Sequence, residues 1–202
     1  MKKIIFPLLF TFLLFVACKN SVKGNKETDS ASTVENNDTS VKGTNGEAYK
    51  NAIQYNDFIV NKQTEVAKQI LQFAAERQTD LNKAEQTINQ AVSKVSQTIT
   101  AIEGMPDWKG NTALRDSALS LFRFYKTIFS DNYRRIIAMQ KDGTVSQEEK
   151  TEYYQIMQKI NSSEAKLDAG FKTAQKDFAL QNGFKVATNE LQDKIDEMKK
   201  TQ

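Results

Sequence analysis

From about residue 47 almost to the C-terminus, apolar residues recur every three or four positions, and this helical period constrains the fold more than any other feature. A first segment, about residues 47–77, places Ala52, Ile59, Val66, Ile70 and Phe73 on one face, interrupted by Asn56 and Gln63. A second, about residues 81–102, does the same with Leu81, Ala84, Ile88, Ala91, Val95 and Ile102. Between them Gln78, Thr79 and Asp80 offer cap-forming side chains but neither Gly nor Pro. The stretch Gly104-Met105-Pro106-Asp107-Trp108-Lys109-Gly110 reads as a loop, with a glycine at each end and a proline inside.

The third segment, about residues 112–141, carries a bulkier stripe of Ala118, Phe122, Tyr125, Phe129, Ile136 and Met139, suited to pack against the small Ala/Val/Ile face of the second. Asp142-Gly143 stops it, and Ser146 with Glu149 forms a capping box for a fourth. That fourth segment aligns Tyr153, Met157, Ile160, Leu167, Phe171, Ala174 and Phe178. After a C-cap signal at Asn182-Gly183, the residues Phe184, Ala187, Leu191, Ile195 and Met198 resume the pattern, as a kinked continuation or a short fifth helix. The expected fold is all-α: an antiparallel up-down four-helix bundle over residues 48–202, with helices about 33 to 52 Å long and a possible short C-terminal fifth helix.

The N-terminus belongs to a different regime. Lys2 and Lys3 precede an apolar run from Ile4 to Ala17, broken only by Thr11, which matches the hydrophobic region of a secretory signal. At about fourteen residues it is short of the roughly twenty that a spanning helix needs. It ends at Phe15-Val16-Ala17-Cys18, which resembles a bacterial lipobox, with Phe15 where Leu is usual. In such a motif the cysteine thiol takes a diacylglyceryl group and the chain is cut between Ala17 and Cys18. Cys18 is the chain's only cysteine, so no internal disulfide competes for it; its bland alternative is an incidental thiol. Residues 1–17 are therefore expected to be a lipoprotein signal peptide and residues 18–47 a lipid-anchored tether. The tether is expected to be disordered, since from Lys19 to Glu47 it has no large apolar side chain beyond Val before the helical pattern begins. The expected address is the cell envelope, at the outer membrane.

Three stretches together carry a resemblance: Tyr55-Asn56-Asp57-Phe58-Ile59-Val60-Asn61-Lys62-Gln63; Met105-Pro106-Asp107-Trp108-Lys109-Gly110-Asn111 with Phe122-Arg123-Phe124-Tyr125-Lys126; and Ala174-Gln175-Lys176-Asp177-Phe178-Ala179. They resemble an uncharacterised family of bacterial helical surface lipoproteins, of the kind found in spirochaetes and in gliding Gram-negative bacteria. The match spans Tyr55 to Ala179, and it implies an exported helical bundle. That family has no assigned activity, so no catalytic residue is carried over.

Chemistry is narrowed by elimination. With no histidine in the chain, Ser-His-Asp and Cys-His nucleophiles, His-ligated metals and the Glu-x-x-His pairs of di-iron bundles are excluded. Asp142, Gly143 and Glu149 mimic half of an EF-hand loop, but Ala138 and Gln140 would occupy its first two ligand positions. No catalytic residue, metal or cofactor is expected. The formal charge of +3 falls to +1 once Lys2 and Lys3 are removed, which gives no basic excess for nucleic acid.

The remaining candidates are for binding. Trp108 and Pro106 form a candidate interaction loop, with closure of the bundle end as its bland alternative. Phe122, Tyr125, Phe129, Phe171 and Phe178 would line an aromatic cavity, unless they simply pack the core. Asn56, Gln63 and Asn132 sit at stripe positions where a buried hydrogen-bond layer could fix helix register. The expected function is that of a non-enzymatic, lipid-anchored envelope protein, held to the membrane through acyl chains on Cys18 and meeting an envelope protein or glycan. The alternative is a bundle that binds a small ligand or lipid between its helices. A carboxylate-only enzyme, needing buried Glu164 or Asp168, ranks third.

Overall fold

The computed structural model describes residues 40–143 and 146–186; the lipobox residues Ala17 and Cys18, Thr144 and Val145 of the EF-hand mimic, and the tail from Ala187 to Met198 lie outside them. Two short strands, β1 (Val41–Lys42) and β2 (Ala48–Tyr49), pair antiparallel ahead of the helices. The helices are α1 (Ala52–Thr79), α2 (Leu81–Glu103), α3 (Ala113–Thr127), α4 (Arg134–Lys141) and α5 (Gln147–Gln181), with a π-helical turn, Ile128–Tyr133, joining α3 to α4. Residues 113–141 thus form one rod, and the chain makes the expected antiparallel four-helix bundle.

Helices α1, α2 and α5 begin where the N-cap side chain supplies an acceptor for their orphan amides. The Asn51 side chain accepts from the Gln54 amide, and Asp80 accepts from Asn82 and Lys83 at 3.0 and 3.1 Å. Asp80 also stands, extended, as the single residue between α1 and α2, so no glycine is needed to reverse the chain. The Ser146–Glu149 capping box forms in both directions. At the far end of α5, Gly183 is left-handed, the amides of Gly183 and Phe184 bond back to Leu180 and Ala179, and the Phe184 ring meets Phe178 at 6.1 Å. This is a Schellman stop with its hydrophobic contact.

Polar bridges between neighbouring helices record the alternating direction. Glu103 pairs with Arg123, Asn89 with Arg134 and Glu85 with Lys141 across α2 and the third rod. Arg135 with Glu152, and Tyr125 with Glu164, do the same across to α5. Asn56, near the start of α1, accepts from Gln175, near the end of α5, which closes the ring. Most of these bridges are exposed, so solvent screens them and they add little; the energy lies in the core. There the small face of α2, with Ala84, Ile88, Ala91 and Val95 fully buried, lets the bulky Phe122 and Phe129 seat at interior density.

Three details depart from the sequence reading. The boundary at residue 47 falls inside the β1–β2 hairpin, whose loop rests on the end of α2: the Asn45 side chain donates to the Ala101 carbonyl at 3.0 Å and to the Tyr49 hydroxyl at 2.7 Å. Gly104 permits this approach, since a Cβ there would come within 2.7 Å of the Asn45 nitrogen. The first helix correspondingly starts at Ala52. In the third rod, the π-helical turn carries an extra residue and shifts the inward face. Tyr133, beside the stripe in the sequence, points inward and stacks on Phe73 at 4.4 Å, while Asn132, expected at a stripe position, is only half-buried.

Candidate functional site

The Trp108 loop turns inward. Lys109 and Gly110, both left-handed, reverse the chain and leave Trp108 bridged to Asn111. The indole is 6% exposed, sits 5.3 Å from the Tyr55 ring and 6.3 Å from the Phe178 ring, and donates its N–H to Asn182 at 2.8 Å. Half-buried Pro106 offers its carbonyl to the Tyr55 hydroxyl at 2.9 Å, and Arg115 clamps Met105 and Asp107. Of the two readings of Trp108 and Pro106, the geometry fits closure of the bundle end, as an amphipathic ring with one polar atom does when that atom finds a part-buried acceptor.

The five aromatics nominated as a cavity are all buried. Phe122, Phe129 and Phe171 are fully enclosed, and Tyr125 and Phe178 nearly so, within one continuous core. Two depressions outlined by the described residues lie elsewhere.

The core also holds polar groups. Glu164 and Asp168, one turn apart on α5, are 3% and 2% exposed. Tyr125 donates to Glu164 Oε1 at 3.1 Å, and Lys172 reaches from the surface to Asp168 Oδ2 at 3.1 Å. Burial holds the Tyr125 and Tyr133 hydroxyls well above the usual tyrosine range, and the Glu164 carboxylate adds to both shifts. The stripe polar residues share this seam. Gln175 donates to Asn56 at 2.8 Å; one heptad on along α1 and one heptad back along α5 is the level of Gln63 and Asp168. Among the described residues, neither side-chain atom of Gln63 has a hydrogen-bond partner. Both carboxylates stand on one helix inside a packed core, with no described opening beside them, an arrangement that serves helix register better than acid–base chemistry on a substrate.

Among the described residues, one accessible concave place is a trough on the outside of α2. Its larger part, about 830 Å³, runs between the hairpin loop and the facing sides of α1 and α2. The α2 wall is small and polar, with Ser93, Ser96, Gln97 and Thr100; the α1 wall is half-buried Phe58, over which Lys62 lies 5.6 Å from the ring centroid. A second depression of about 440 Å³ continues it along α2 and shares Ser93 and Gln97. The sequence reading missed this place because it followed apolar stripes. Its signal was the run of Ser, Thr and Gln on the outward side of the second helix, which means little until the hairpin supplies the other wall. No protein-family model, curated protein or solved structure matches the chain.

Proposed function

We propose that the chain is a lipid-anchored protein of the cell envelope whose helical bundle binds another envelope component without chemically altering it. The observation that carries the reading is the apolar run ending at Phe15-Val16-Ala17-Cys18, which resembles a lipobox and holds the only cysteine. Two or three acyl chains on Cys18, at about 0.8 kcal/mol per buried methylene, would anchor it durably. No helix among the described residues is long and apolar enough to cross a membrane, so attachment in this reading rests on Cys18. Binding is preferred over catalysis because Glu164 and Asp168 are enclosed and engaged by Tyr125 and Lys172.

The test is Cys18→Ser followed by detergent-phase partitioning of membranes from expressing cells. The wild-type chain should enter the detergent phase and the variant the aqueous phase. Equal partitioning of both would defeat the anchor.

A further inference from the structure

We infer that the bundle is built to open along the seam between α1 and α5, with the Trp108 loop as its latch. The inference goes beyond the envelope reading and does not depend on it. It starts from topology: α1 and α5 are the first and last helices of the ring, so among the described elements theirs is the one neighbouring pair that no connecting loop joins. Buried polar groups gather on the same two helices. Among the described residues eight polar or charged side chains are buried, and six of them stand on α1 (Asn56, Gln63, Arg77) or α5 (Glu164, Asp168, Gln175). Such groups recover in their bonds little beyond what they lose in desolvation, so a seam that holds them closes less firmly than an apolar one. Gln63 recovers nothing in the closed bundle, since neither of its amide atoms has a hydrogen-bond partner, and water entering an opened seam would satisfy both.

The other contacts divide into those that survive such an opening and those that oppose it. Tyr125 stays with Glu164 and Lys172 with Asp168, because both pairs lie within the third rod and α5. On the other side, α1 stays on α2 through Glu65 with Lys94 and Gln72 with Thr87. Between the two halves α2 and the third rod form a spine, joined by the Trp108 loop and bridged from Glu103–Arg123 to Glu85–Lys141. The α1–α2 and third rod–α5 hairpins can therefore part about that spine as rigid bodies. What opposes parting is the bond from Gln175 to Asn56 and, at the end of the seam, the aromatic cluster in which Tyr55 of α1 stacks on Phe178 of α5 at 5.5 Å. The Trp108 loop reaches from the spine to both free edges, for Pro106 accepts from the Tyr55 hydroxyl and Trp108 donates to Asn182 at the end of α5. It is the one described loop that ties α1 and α5 together.

The experiment is thiol labelling of the full-length Cys18→Ser chain, solubilised in detergent, with one cysteine introduced either in the seam by Gln63→Cys or on the buried small face of α2 by Ala91→Cys. Each variant's global stability is measured by urea unfolding, and labelling by a soluble aromatic disulfide is followed without urea. The seam thiol should react about tenfold or more faster than global unfolding of the same variant allows, whereas the α2 thiol should react at the global rate. Trp108→Phe keeps a ring and removes the N–H bond to Asn182; it should speed the seam thiol by about threefold to tenfold beyond its effect on the α2 thiol. If Gln63→Cys does not fold, Ala67→Cys, one turn further along α1 and also buried, replaces it as the seam thiol. Labelling of both thiols at the global rate, or a seam thiol that Trp108→Phe speeds no more than the α2 thiol, overturns the inference.

Discussion

Replacing Gln63 with methionine should stabilise the protein. The residue is 1% exposed, and neither its amide oxygen nor its nitrogen has a hydrogen-bond partner among the described residues. Mutational data put the burial of an unpaired amide at about 1 to 3 kcal/mol. Methionine matches the length of glutamine and removes that cost, so Gln63→Met should raise stability by about 1 to 3 kcal/mol, or about 2 to 4 °C in melting temperature per kcal/mol for a chain of this size. Asn56, one heptad earlier, is the internal control. Its amide accepts from Gln175 at 2.8 Å, so Asn56→Leu leaves that buried donor unpaired and should cost about 1 to 3 kcal/mol, while Asn56→Leu with Gln175→Leu should recover most of the loss. The assay is urea unfolding of each variant with the m-value checked for constancy. Destabilisation of more than about 1 kcal/mol by Gln63→Met would refute the reasoning, since the amide would then be contributing hydrogen bonds at the Asp168 level.

Further outcomes follow from the same packing. Gly104→Ala should cost about 1 to 3 kcal/mol by pushing the hairpin off α2, because the new Cβ would lie 2.7 Å from the Asn45 nitrogen; an unchanged urea midpoint would contradict the docking. Phe122→Ala, at a fully enclosed position, should cost about 3 to 5 kcal/mol, and a loss below 1 kcal/mol would mean that the stripe faces solvent or a cavity. Tyr49, Tyr55, Tyr125 and Tyr133 all ionise above the ordinary value of 10.0, chiefly through burial. Their neutral forms favour the fold, so this stability is complete below pH 10 and is lost as pH rises through their folded values; Tyr133→Phe should flatten the loss in unfolding followed from pH 9 to 12.

Much of this architecture was legible because it is local. Asp80, the Ser146–Glu149 box and Asn182-Gly183 act over three or four residues, and the structure uses each where the sequence offers it. The contrast between small Ala84 and Ala91 and bulky Phe122 and Phe129 was likewise readable as complementary faces. What the sequence concealed depends on distant partners. Val41, Asn45 and Tyr49 lie in or beside a stretch of polar composition, and their strand pairing is held by Ala101 and Gly104 more than fifty residues away. The π-helical turn at Ile128–Tyr133 interrupts the uniform helical period that puts Asn132 on the inward face, and Tyr133 beside it is the residue that stacks on Phe73 across the core. Trp108 left both anchor and closure open in the sequence because the acceptor for its N–H, Asn182, is remote in the chain.

The candidate site divides the same way. Buried Glu164 and Asp168 could be named from their stripe positions, but the Tyr125 and Lys172 contacts that engage them needed the assembled bundle. The trough needed even more of the fold: Ser93 and Gln97 sit on one helix, Phe58 on another, and the hairpin loop completes the wall.

The attachment of this bundle is most directly tested by mass spectrometry of the N-terminal peptide of the protein taken from membranes. The account predicts that residues 1–17 are gone and that the peptide begins at Cys18 bearing two or three acyl chains. A peptide that retains Met1, or that carries Cys18 as a free thiol, would contradict it.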